Sequence, residues 1–199
     1  METCPICNQS APECICMPKG LSSSGALCLC KLHFYSQERA SDPQNKLIYF
    51  IKKNRNKRIS RFIASELYDI VKRECEILGI KNEDILVSNV PRSKKAVIRE
   101  GFDQSRLIAD AFSDVMGCAR FYGIVRSKGS KEQKKLNAAK RFRNVSASFA
   151  LKDEESVKDK YVILFDDIVT TGASMAACVK HLRRAGAKGI ICVSIAQNL

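Results

Sequence analysis

The apolar positions of this chain change period several times, and each change marks an element. Ile59, Phe62, Ile63, Leu67, Ile70, Val71 and Leu78 recur at helical spacing, predicting an amphipathic helix over about 59–78 that ends near Gly79. Ile85 to Val90 is a short apolar run stopped by Pro91 and reads as a buried strand. Leu107, Ile108, Ala111, Phe112 and Val115 mark a second helix, ending before Gly117. Tyr122 to Val125 and Ser148 to Leu151 read as short strands flanking a polar, cationic segment at 127–146. Tyr161 to Phe165 reads as the central strand, followed by a helix from about Ala173 to Arg184 and a last strand from Gly189 to Ala196. Strands that alternate with helices predict an α/β fold, a parallel sheet with helices on both faces and a ligand at the strands' carboxyl ends.

The chemistry concentrates where the central strand stops. Val162 to Phe165 runs into Asp166 and Asp167, then Ile168 and Val169, then Thr170-Thr171-Gly172-Ala173-Ser174. A small, hydroxyl-rich loop at the positive end of a following helix offers backbone N–H groups and hydroxyls to a phosphate monoester. The adjacent acids suit two ribose hydroxyls or a magnesium ion. A helix cap of Thr or Ser after a strand would explain the hydroxyls but not the diacid. A second strand end enters Pro91-Arg92-Ser93-Lys94-Lys95, whose cations suit a pyrophosphate leaving group.

Six of the ten cysteines fall within Cys4 to Cys30, as Cys4-x2-Cys7, Cys14-x-Cys16 and Cys28-x-Cys30, with His33 just beyond. Clustering of this kind without a secretion signal reads as metal ligation, not as a disulfide framework. Cys4 and Cys7 form a zinc knuckle, and Cys28 with Cys30 is the favoured second pair. Cys14, Cys16 and His33 compete for the same role. The expected division is a cysteine-rich zinc finger over 1–40 and an α/β domain over 41–199.

Charge changes the picture only in part. The net charge of +13 is concentrated in two stretches, Lys46 to Arg61 and Lys128 to Arg143. Either can meet a polyphosphate or a nucleic acid, and single-stranded DNA is the candidate. Aromatic residues in these stretches are sparse: Tyr49, Phe50 and Phe62 in the first, Phe142 in the second. The first stretch precedes the sheet and is expected to act apart from the diacid site. No apolar run approaches a membrane span and the Met1-Glu2-Thr3-Cys4 start lacks a signal pattern, so no membrane insertion and a cytoplasmic location are expected.

The loop from Asp166 to Ser174 resembles the 5-phosphoribosyl-1-pyrophosphate (PRPP) binding loop of type I phosphoribosyltransferases. Val90-Pro91, Arg99-Glu100-Gly101-Phe102-Asp103-Gln104, then Gln133, Leu136, Arg141, Asn144, Val145 and Phe149 follow in the order of the ComF family, of competence and gluconate-uptake-associated proteins. The likeness covers nearly the whole chain. It departs at Asp103, where Asn is commoner, and in the compressed second cysteine pair. The resemblance implies a type I phosphoribosyltransferase fold preceded by a four-cysteine zinc finger, PRPP with Mg2+, and a part in DNA uptake with competence proteins. It implies Asp166 and Asp167 at the ribose and metal. Thr170, Thr171, Gly172, Ala173 and Ser174 would take the 5-phosphate, and Arg92, Ser93, Lys94 and Lys95 the pyrophosphate. Gln133, Arg141 and Asn144 would belong to a flexible loop closing over the site, with Lys134 and Lys135 as further contacts. Purine salvage relatives often carry an acid at the position of Thr170, so a hypoxanthine–guanine type enzyme is not expected, and the acceptor stays open.

Overall fold

Apolar runs at five places along the chain hydrogen-bond into one sheet whose strands are all parallel. In spatial order these are β1 (Cys28–Tyr35), β7 (Gly189–Asn198), β6 (Tyr161–Val169), β2 (Ile85–Asn89) and β3 (Ala119–Arg120). A separate antiparallel pair joins β4 (Ile124–Arg126) to β5 (Phe149–Leu151). The structure is a computed structural model and describes residues 3–35, 43–126 and 148–198. The helices are α1 (Lys19–Ser22), α2 (Pro43–Lys53), α3 (Lys57–Ile77), α4 (Lys94–Glu100), α5 (Gln104–Met116) and α6 (Ala173–Arg184).

Period-two alternation in the central strands divides the core into two layers. In β6, Ile163 and Phe165 join the layer formed with α2, α3 and α5, while Val162 and Leu164 join the layer formed with α6. Each helix ends on local chemistry that the sequence carries. The Asn56 side chain accepts from the N–H groups of Arg58 and Ile59 at 3.0 and 3.1 Å, starting α3 two residues before the apolar pattern begins. Asp103 caps α5 through the Arg106 N–H, and Gly117, with φ +72°, lets the chain leave it. This is the doubly covered parallel sheet of a type I phosphoribosyltransferase fold.

The register explains where a ligand can enter. β2 pairs with β6 only as far as Asn89 opposite Phe165, whereas β7 stays paired through Asp166, Ile168 and Val169. Strand β6 therefore continues through the diacid, which sequence reading placed just beyond the strand. Beyond Phe165 one flank of β6 has lost its neighbour. The chain leaves β2 toward β3 and leaves β6 toward β7 on the other side, so this opening is the sheet's topological switch point.

The N-terminal boundary differs from expectation. Residues 28–35, placed by sequence reading in the cysteine-rich unit, form the edge strand of the main sheet, paired from Cys28 opposite Ile191 to Tyr35 opposite Asn198. The preceding segment is tied to that strand by a fully buried lysine. Lys31 donates to the carbonyls of Cys14 at 2.6 Å, Cys16 at 2.9 Å and Leu29 at 3.2 Å, and lies 5.7 Å from the Phe34 ring centroid. Removing the ammonium leaves three carbonyls to be satisfied elsewhere. Lys31→Met, which keeps the volume, is expected to cost about 1–3 kcal/mol, seen as a lower urea midpoint at unchanged slope. An unchanged midpoint would show that water replaces the ammonium freely.

Candidate functional site

The site is built on the one-sided end of β6. Asp166 Oδ1 accepts from the Ser105 hydroxyl on α5 at 3.2 Å and from the Asp167 N–H at 2.9 Å. Burial, with Asp167 beside it, lifts the Asp166 carboxyl well above the usual carboxylate range; the Asp167 N–H and Ser105 only partly offset this. The sign follows directly. An acid whose folded pKa is raised favours folding most when protonated, so its contribution falls as pH rises from the unfolded value through the folded one. Asp167 Oδ1 accepts from the Ile168 N–H at 2.8 Å. Its Oδ2 faces two cations, Lys52 Nζ at 3.7 Å and Arg92 Nη2 at 4.0 Å.

The loop from Thr170 to Ser174 follows. Gly172 takes a left-handed conformation, φ +71°, and becomes the N-cap of α6 without any side-chain cap. The Thr171 hydroxyl accepts from the Ala173 N–H at a long 3.4 Å, and both Thr170 and Thr171 are exposed. The first turn of a 12-residue helix is thus open to an anion. A cavity of about 80 Å³ lies against it, lined by Asp166 and by Ile168 to Met175. All five predicted phosphate residues, Thr170 to Ser174, line this cavity together with Asp166.

The second predicted group is brought together only in part. Arg92 reaches the diacid, and its Nη1 is buried with no partner among the described residues. Its backbone N–H donates to Asp103 Oδ2 at 3.1 Å, so the residue that departs from the family pattern orients the loop after β2. Ser93 spends its hydroxyl as the cap of α4, accepting from the Ala96 N–H at 3.2 Å. Lys94 and Lys95 are exposed at the start of that helix. Gln133, Lys134, Lys135, Arg141 and Asn144 lie outside the described residues. Two residues escaped the sequence reading, Ser105 and Lys52. Ser105 follows the Gly101-Phe102-Asp103-Gln104 motif directly, whereas Lys52 sat in a basic stretch that looked detached from the sheet.

Four cysteine sulfurs converge at the N-terminus, but not the four that spacing favoured. The ligand atoms of Cys4, Cys7, Cys14 and Cys16 all lie within 4.8 Å of one another. Cys28 and Cys30 are excluded by their strand. They are 3% and 1% exposed, face the core beside α3, and are fixed opposite Ile191 and Val193 in the ladder. His33 is half-buried opposite Ala196 in the same strand. Four thiolates around a tetrahedral zinc stand about 3.8 Å apart, so this set needs only slight contraction. Its electrostatics fit a cation. Burial pushes the Cys4 thiol up, but hydrogen bonds involving Cys7, Ile6 and Cys14 bring it down to about 7. Cys16 is pushed up to about 12 by burial and its sulfur neighbours. One sulfur carries charge at the others' expense, a cost that a bound divalent ion removes.

Sheet, diacid and open helix end meet at the switch point of the fold. Residues 103–199 match the phosphoribosyl transferase domain family. The DNA utilization protein YhgH of Salmonella typhimurium (strain LT2) is 32% identical over 146 residues, 73% of this chain and 63% of that protein. The Escherichia coli (strain K12) protein of the same name is 30% identical over 149 residues, 74% of this chain and 64% of the relative. The chain thus spans somewhat less than two thirds of the length of these relatives. Solved structures similar to it include the allosteric regulatory enzyme of purine biosynthesis, at 18% identity over 76% of this chain and 30% of that one, with a TM-score of 0.46. Another is the Trypanosoma cruzi hypoxanthine phosphoribosyl transferase, at 13% identity over 78% and 75%, with a TM-score of 0.42. The phosphoribosyl transferase domain match and these relatives are consistent with a ComF-family type I phosphoribosyltransferase.

Purified protein is expected to hold about one metal equivalent on the cysteine cluster. Elemental analysis should find it lost in Cys14→Ser/Cys16→Ser and kept in Cys28→Ser. Loss in Cys28→Ser with retention in the double variant would restore the set read from spacing.

Proposed function

We propose that this chain binds PRPP together with Mg2+ and is a phosphoribosyltransferase-like protein serving DNA uptake in the cytoplasm. The observation that carries the reading is the diacid at the switch point beside a helix N-terminus without a side-chain cap, with Asp166 and that helix end lining one cavity. In this reading Asp166 and Asp167 hold the ribose hydroxyls and the metal, and Thr170 to Ser174 hold the 5-phosphate. Arg92, with Ser93, Lys94 and Lys95 on the same loop, meets the pyrophosphate. Residues Gln133, Arg141 and Asn144 remain the proposed closing loop. Mg2+ would supply charge neutralisation for the departing pyrophosphate. The protein's own contribution is placement: ribose on the acids, phosphate on the helix, guanidinium beside the leaving group. A nitrogen acceptor would bond to C1 as the bond from C1 to the pyrophosphate oxygen breaks. The cysteine cluster would carry a structural Zn2+.

The test is thermal melting with and without PRPP and Mg2+. A ligand at a hundredfold excess over its dissociation constant should add about 2.7 kcal/mol. Asp166→Asn/Asp167→Asn should abolish that gain. Asp166→Asn alone is expected to melt no lower than wild type without ligand, because a buried site that resists ionisation of Asp166 accommodates a neutral isostere. A full ligand response in the double variant would refute the assignment.

A second reading, single-stranded DNA binding without turnover, is favoured by one surface. Arg55 just precedes α3, and Lys57, Arg58 and Arg61 lie in its first turns; all four are exposed and without an ion pair among the described residues. Cations at the positive end of a 21-residue helix are electrostatically unfavourable, and a phosphate relieves them. Tyr49, Phe50 and Phe62 are 50%, 48% and 61% exposed in the same stretch, so the few aromatics the sequence offers are available for stacking. A cavity of about 420 Å³ is lined by Arg55, Lys57 and Arg61, together with Arg120, whose charge is met by Asp110 and Asp114 in the same lining. The relatives named DNA utilization proteins support a DNA substrate or a DNA-uptake partner protein here. Binding of an oligonucleotide should weaken with salt at about −0.7 per phosphate contact. Neutralising Arg55, Lys57, Arg58 and Arg61 should flatten the slope and leave the PRPP response intact. An unchanged slope would return these charges to a solvated surface.

A further inference from the structure

Asp167 Oδ2 is already counterbalanced, and its two cations are held very differently. Arg92 is fixed: its N–H is bound by Asp103 and its guanidinium is largely buried, with 18% of the side chain exposed. Lys52 comes from the last turn of α2, carries 34% side-chain exposure, and makes among the described residues no other hydrogen bond or ion pair. A four-carbon stem ending in a compact ammonium can swing away without disturbing the helix. Asp167 Oδ1 is committed to the Ile168 N–H, so Oδ2 is the oxygen left for a metal. An Mg2+ ion binds carboxylate oxygen at about 2.0–2.1 Å, and an ammonium held on that same oxygen is repelled by it.

We propose that Lys52 is an exchangeable counter-ion of the diacid: it neutralises Asp167 in the free protein, gives way to Mg2+ as the polyphosphate ligand arrives, and then pairs with the ligand's pyrophosphate. The inference rests on the PRPP reading of the site. It overturns the expectation that the first basic stretch acts apart from that site. Its consequence is a synergy: metal alone displaces the cation into solvent with its ion pair lost, whereas metal with ligand supplies that cation with a new partner. The coupling is reciprocal, so Lys52 opposes metal binding and supports ligand binding. A residue with only a structural role has no reason to move the two affinities in opposite directions.

The test uses the zinc-loaded chain as wild type, Lys52→Met, Lys52→Arg and the neighbouring Lys53→Met. Mn2+ replaces Mg2+ in one arm, where free Mn2+ is read by electron paramagnetic resonance without ligand. The other arm is calorimetric titration of PRPP in saturating Mg2+. Lys52→Met should bind Mn2+ roughly fivefold tighter and PRPP roughly fivefold weaker, the scale of a partly exposed ion pair. Lys52→Arg should return both affinities toward wild type, and Lys53→Met should move neither. Unchanged Mn2+ affinity in Lys52→Met, or both affinities moving in the same direction, overturns the proposal. A wild type that takes Mn2+ but shows no response to PRPP defeats the ligand reading, while the Mn2+ arm alone still decides whether Lys52 guards the metal oxygen.

Discussion

Asp166 and Asp167 place two carboxylates side by side at the end of a buried strand, and the surroundings answer that cost group by group. Ser105 and a backbone N–H serve Asp166, a second N–H serves one oxygen of Asp167, and Lys52 and Arg92 stand at the other. Asp103 in turn holds the backbone that carries Arg92. Four elements, α2, α5, β6 and the loop after β2, are thereby tied to two adjacent side chains. Burial still holds Asp166 above its usual range, so the apo site carries an electrostatic tension that a metal and a diol can relieve. Sites arranged for binding commonly carry such tension, because stability and ligand affinity ask for different groups.

The sheet makes this tension possible by what it withholds. With β2 gone beyond Phe165, the acids are paired through their backbone to β7 on one side only. A sixth residue of pairing would have closed the cleft. On the other face Gly172 has to stay small as well as left-handed: a Cβ there would stand 3.0 Å from the Leu21 Cβ and 3.7 Å from Pro18. The cysteine-rich segment therefore packs against the loop before α6 through α1, while Lys31 fastens the same segment to the edge strand. The Leu29 N–H of that strand also donates to the Ile15 carbonyl, so the segment covers part of an edge that would otherwise be open for pairing.

Much of this was legible in the sequence because it rests on local pattern. Helical spacing located α3, α5 and α6 to within a few residues, and short apolar runs located β2, β6 and β7, since period and capping act over single turns. The loop from Asp166 to Ser174 was legible for the same reason: its chemistry is contiguous. What stayed hidden depends on distance in three dimensions. Spacing favoured Cys28 and Cys30 as ligands, yet both are consumed by an edge strand whose partner lies more than 150 residues onward, opposite Ile191 and Val193. Lys52 looked like one of many surface cations, and only the position of α2 brings it to Asp167. Ser93, read as a pyrophosphate contact, also caps its own helix by accepting from the Ala96 N–H.

A crystal structure of the protein with PRPP and Mg2+ would show these groups together. The 5-phosphate is expected on the backbone N–H groups at the start of α6, the ribose hydroxyls on Asp166 and Asp167, the metal on Asp167 Oδ2, and the Lys52 ammonium displaced onto the pyrophosphate. Ligand density elsewhere on the molecule, or a bound metal with Lys52 still on Asp167, would contradict this arrangement.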